Sequence, residues 1–139
     1  MPMPMEYRQA SRDFDAFMMD LRDISMLQTT HQAYTMLQGV FQVFRRRLTV
    51  RQALCFADAL PPVLRAIFVS DWDVDEPLRP FLSREEMSRE ARDLRPDHNV
   101  STETAIADVA VALRRHIDGS AFDRALEQLP PAARAFWTP

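Results

Sequence analysis

Arginine carries most of the chemistry this chain can offer. The 17 basic residues are all arginine, with no lysine. Arg65 and Arg134 stand at matched places, each closing a Leu-Pro-Pro-x-x-Arg run that begins at Leu60 or Leu129. An acid precedes each by seven residues, Asp58 and Glu127. A guanidinium is a planar fork of donors that suits a carboxylate, a phosphate or a set of open carbonyls. One reading is a clamp, in which each arginine folds back over the prolines onto the acid or the carbonyls of the preceding short helix. The other is an anion site. Repetition favours the clamp, because every copy of a unit needs packing and few need a catalytic group twice. Arg45 and Arg114 form a second matched pair, heading the runs Arg45-Arg46-Arg47 and Arg114-Arg115-His116. Cations at helix C-termini complement the macrodipole, and such ends can also grip phosphates. No helix-turn-helix glycine, zinc-ligand spacing or aromatic stacking platform accompanies them.

Other constellations fall short. Asp71-Trp72-Asp73-Val74-Asp75 has the start of a calcium loop, but Glu76 replaces the sixth-position glycine and Leu82 the twelfth-position glutamate. His31, His98 and His116 are spaced too widely to share a helix turn, so no metal ligand set is expected. Asp97-His98 is a weak proton-relay pattern in a polar stretch, Pro96 to Asn99. Cys55 lies in an apolar run and reads as a core thiol. No nucleophile elbow, phosphate loop or dinucleotide fingerprint occurs. We expect no catalytic residue and no cofactor.

The matched arginines belong to an internal repeat. An offset of 69 lays the stretch around residues 31–70 over 101–139. Thr35 then meets Thr104, Val40 meets Val109, Leu48 meets Ile117 and Phe68 meets Trp137. Such repeats mark duplicated packing units. Only two glycines are present, which argues against strands and their tight turns. Apolar residues recur at three- and four-residue steps: Tyr7, Phe14, Phe17, Met18, Leu21, and again Ala33, Met36, Leu37, Val40, Phe41, Phe44, Leu48. Thr49 is expected to cap Val50–Ala59, and Pro62 to open a helix to about Ser70. Ser83 with Glu86 reads as a capping box. Thr102 or Ser101 should cap the second long helix, Gly119 should end it, and Ser120 should cap Ala121–Gln128. Pro130-Pro131 opens the last helix. The expected fold is one all-α bundle of two multi-helix repeats, residues 5–70 and 81–139, joined by the acidic linker 71–80, with approximate two-fold symmetry.

These residues resemble a known family. Leu37 to Leu48, Gln52-Ala53, Ala59 to Arg65 and Asp71-Trp72 are similar to the first half of an uncharacterised bacterial family, domain of unknown function 2267. Val109 to Ile117, Gly119 and Gln128 to Trp137 are similar to its second half. The resemblance spans nearly the whole chain and implies an all-helical domain with no assigned activity. It also implies acids where this chain has Gln52 and the Gly119-Ser120 pair, so it transfers no role for those carboxylates.

Composition narrows the partners. A net charge of −3 argues against general polyanion binding. No run approaches a membrane span, and the N-terminal residues lack the pattern of a secretory signal, so a cytoplasmic protein is expected. Six of eight methionines lie in the first 26 residues. Phe14, Phe17, Met18 and Met19 give that helix a broad apolar face, and Met-rich faces adapt to partners. The leading expectation is therefore a non-enzymatic, self-associating or partner-binding helical domain. The alternatives are an enzyme or binder of small molecules or anions between the repeats near Arg65 and Arg134, and nucleic-acid binding through the arginine-rich helix ends.

Overall fold

The computed structural model describes residues 3–94 and 102–139, and every regular element among them is an α-helix. The N-terminal stripe forms α1 (Met5–Arg8) and α2 (Ala10–Ile24), separated at Gln9. Then come α3 (Thr30–Arg45), α4 (Val50–Asp58), α5 (Pro62–Val69), α6 (Arg84–Asp93), α7 (Ala105–His116), α8 (Gly119–Glu127) and α9 (Pro131–Phe136). None of the described helices is long and apolar enough to cross a membrane. The Pro96 to Asn99 stretch, with Asp97-His98, lies outside the described residues.

Several boundaries follow from capping. Thr49 accepts the Gln52 amide, and the Gln52 side chain returns to the Thr49 amide at 2.9 Å. A neutral glutamine thus completes the capping box at the place where the resemblance implies an acid. Ser83 Oγ accepts the Glu86 amide at 3.2 Å. Three expectations need correction. The N-cap of α7 is Thr104 rather than Thr102, and its hydroxyl bonds to Asp108 at 2.9 Å instead of capping the backbone; Ser101 lies outside the described residues. Gly119 does not end α7. Ile117 does, in extended conformation with its side chain in the core, so no left-handed residue is needed. Asp118, not Ser120, caps α8, because its carboxylate takes the Ser120 amide at 3.0 Å.

The packing is reciprocal between the repeats. Helix α2 lies against α7, and α6 lies against α3, so each repeat's leading helix covers the other repeat's long helix. Also, α3 meets α7 and α4 meets α8. Gly39 permits the α3–α6 approach: a Cβ there would sit 2.8 Å from the Ala91 carbonyl oxygen. The core is continuous across both repeats. Trp137 stacks on Phe56 at 5.6 Å, and Phe44 reaches Phe136 at 4.8 Å and Trp137 at 5.1 Å. Paired positions differ in volume: Phe41, Phe44 and Phe56 correspond to Ala110, Leu113 and Ala125, while Ala53 corresponds to Phe122. Interiors pack to crystal-like density, so one shared core is filled by large residues from alternating copies. Tyr7, placed by its spacing on an inward stripe, is 45% exposed because α1 buries nothing.

Candidate functional site

Arg65 and Arg134 share none of the clefts described below. Arg65 folds back over the prolines and donates from Nε to the Ala57 carbonyl at 3.2 Å and from Nη2 to the Leu60 carbonyl at 2.9 Å. Its acceptors are carbonyls at the end of α4, not Asp58. Arg134 is exposed, and its guanidinium makes no hydrogen bond among the described residues.

The ends of the long helices are tied down inside the protein. Arg45 is buried; its Nη1 donates to the Phe68 and Ser70 carbonyls at 2.8 and 3.0 Å, and its guanidinium lies 5.4 Å from the Trp72 ring centre. Burial pushes the Arg45 pKa down, countered in part by the charges of Glu76 and Asp71. Arg114 donates from Nε to the Trp137 carbonyl and from Nη1 to Asp123, both at 3.2 Å, and covers the Phe122 ring at 5.0 Å. Phe68 and Trp137 are repeat counterparts, so the same arginine ties each long helix to the end of its own last helix.

A carboxylate from α6 binds the rest of the first run. Glu90 accepts from Arg46 at 2.7 Å and from Arg47 Nη2 at 2.6 Å, with Arg79 at 3.4 Å. Burial raises the Glu90 pKa, but hydrogen bonds from Arg47 and Arg46, with their charges, outweigh it and leave the carboxyl below its ordinary 4.5. Beside this knot a cleft of about 180 Å³ is lined by Arg45, Arg46 and Trp72, together with Asp71, Asp73 and Glu76. The three carboxylates oppose an anion there. Asp73 itself accepts the Asp75 amide at 3.0 Å, and no cluster of metal-ligating side chains occurs among the described residues.

The second run meets α2. Asp20 accepts from Arg115 at 3.0 Å and lies 2.9 Å from His116 Nε2. The His116 ring packs edge-on against Phe17 at 5.6 Å. It lines a cleft of about 230 Å³ between α2, the Pro61-Pro62 turn and the end of α7. Spacing alone did not reveal this pair, because its members are 96 positions apart and no local pattern joins them.

The N-terminal apolar residues divide. Phe17 and Met18 are buried in the core, Phe14 is partly buried against it, and Met19 is 51% exposed. An open groove of about 510 Å³ runs between α2 and α3, lined by Phe14, Met18, Met19, His31 and Tyr34. Just past α2, Met26 adopts φ 58° and is 89% exposed. It is the left-handed residue of a Schellman ending, with the Leu27 amide on the Arg22 carbonyl at 3.0 Å and its own amide on the Asp23 carbonyl at 3.2 Å. Cys55, read as a core thiol, is half-buried instead and borders a shallow groove with Asp58 and Arg124, because it lies on the α4 face toward α8.

No curated protein matches this chain. Residues 14–136, from within α2 to the end of α9, match one family model. The chain therefore belongs to the family described as uncharacterized conserved protein (DUF2267).

Proposed function

We propose that this chain is a non-enzymatic, bacterial cytoplasmic interaction domain that self-associates through the outer face of α2. Its two repeats, 5–70 and 81–139, act as halves of one unit related by an approximate two-fold axis. The observation that carries the reading is Met26. A left-handed backbone favours glycine, and a side chain with a Cβ costs about 1 kcal/mol there. Met26 offsets none of this by packing, since it is 89% exposed. Met19, seven residues earlier, is also exposed, and the groove beside it is lined by Phe14, Met18 and Tyr34. Flexible methionines over an apolar groove suit a protein contact. Of the four residues singled out on this helix, Met19 and Phe14 are those a partner can reach without opening the core.

The test is solution mass by light scattering for the full chain, for a chain beginning at Ser11, and for Met19→Glu. An oligomer that becomes monomeric in Met19→Glu supports the reading. A full chain that is monomeric over the accessible concentration range overturns self-association. Met26→Gly separates folding from contact: it should raise stability by about 1 kcal/mol and weaken association. Nucleic-acid binding has less support, because Arg45, Arg46, Arg47, Arg114 and Arg115 all bond to groups within the protein.

A further inference from the structure

The cleft at His116 joins the two repeats. Helix α2 contributes Phe14 and Phe17, the turn into α5 contributes Pro61 and Pro62, and His116 comes from the end of α7. Its volume of about 230 Å³ exceeds the roughly 150 Å³ that holds a benzene ring in an engineered core cavity. Flat rings and proline faces suit a flat or branched apolar body.

The polar groups decide what such a body must carry. Asp13 and His116 line the cleft, and no arginine does. Among the described residues the Asp13 carboxylate accepts no hydrogen bond. Asp20 fixes the other group. Its carboxylate lies 2.9 Å from His116 Nε2 and holds the ring by that nitrogen. Phe17 holds the ring edge-on and limits its rotation. Arg115 offsets Asp20 at 3.0 Å, so Asp13 is the uncompensated charge at the cleft. One unpaired carboxylate beside an apolar wall of Phe14 and the two prolines matches a cationic donor. An anion would meet Asp13 unpaired.

We propose that this cleft binds a small organic cation of the aryl-alkylamine class. The ring lies against Phe14 and the two prolines, and the ammonium bonds to Asp13. Phe14 borders both this cleft and the groove of the self-association face, whereas Asp13 and His116 line the cleft alone.

The experiment is a chemical-shift titration of the isotopically labelled full chain with phenethylamine and, separately, with 3-phenylpropionate, which has a similar body and the opposite charge. The amine should shift the signals of Asp13, Phe17, Leu64 and His116 and saturate. The carboxylate should bind at least about tenfold more weakly, a 1.4 kcal/mol difference. Asp13→Asn should lower amine affinity about tenfold with the melting temperature kept. Val63→Trp, which fills the cleft mouth, should abolish binding. Equal binding of the two probes, an unchanged affinity in Asp13→Asn, or shifts confined to other parts of the surface would overturn the proposal. So would the absence of any shift with the amine.

Discussion

Arg45 and Arg114 occupy the same place in the two repeats yet live in different surroundings. Each donates to the carbonyl of its counterpart aromatic, Phe68 or Trp137. Arg45 is 7% exposed, and no carboxylate hydrogen-bonds to it. Arg114 has a side chain 34% exposed and pairs with Asp123. The counterpart of Asp123 in the first repeat is Leu54, which can accept nothing. The next two residues repeat the theme. Arg46 and Arg47 receive Glu90 from α6, and Arg115 and His116 receive Asp20 from α2. Each run is therefore tied by the leading helix of the opposite repeat. At the first end the tie is largely buried and joins arginines to one carboxylate, so it acts as a stability element. At the second it lies at the surface and replaces an arginine with a histidine beside a cleft. The two matched runs thus differ: one is a fastening, and the other borders a candidate ligand site.

Substitution at the two ends should separate these roles. Arg45→Ala has the largest expected effect. It strands two carbonyls and removes the cation from Trp72, at a cost of about 3 kcal/mol, on the order of 10 °C in melting temperature. Chemical denaturation measures it, and a loss near that of Arg114→Ala would break the comparison. Glu90→Gln comes next, at about 2 kcal/mol, because Arg46 and Arg47 lose their shared charge in a site largely out of water. Its pH dependence has a definite sign. The folded carboxyl titrates below its ordinary 4.5, so its contribution is complete above the unfolded value and is lost as pH falls through the folded one. The stability gap between wild type and Glu90→Gln should be constant near neutrality and shrink below about pH 4. A gap that widens in acid would contradict the assignment.

Local patterns are legible in the residues alone, and ties between distant segments are not. The Leu-Pro-Pro-x-x-Arg repeat, the caps at Thr49 and Ser83 and the apolar stripes are local patterns, so helix types and most boundaries follow from spacing. Matched arginines announce that Arg45 and Arg114 share a task. They do not say which carbonyls accept, because Phe68 and Trp137 come close only after the last helices fold back. Glu90 and Asp20 stay hidden for a related reason: they arrive from the other repeat, and acids one residue out of register break the sequence offset of 69. The errors at Gly119 and Ser120 share a cause. Where two cap formers stand side by side, the stronger acceptor or the buried neighbour decides, and Asp118 and Ile117 are those neighbours. Phe17 and Met18 read as a contact face because a stripe alone does not show which of its edges α7 covers.

The weaker end offers the finer test. Arg114→Ala should cost about 1 kcal/mol, a third of the loss at Arg45, since water replaces part of what its half-exposed donors lose. Asp123→Leu goes further, because it gives the second repeat the residue type that Leu54 supplies in the first. Asp123 has a side chain 62% exposed and pairs with Arg114 at 3.2 Å. An exposed pair of this kind contributes at most about 0.5 kcal/mol and is screened by salt. The carbonyl bond from Arg114 Nε to Trp137 survives the change, as does the packing on Phe122. The expected result is a small loss at low ionic strength that vanishes in high salt. A loss as large as that of Arg114→Ala, insensitive to salt, would mean that Asp123 positions the guanidinium, and that the second clamp needs an acid the first one does without.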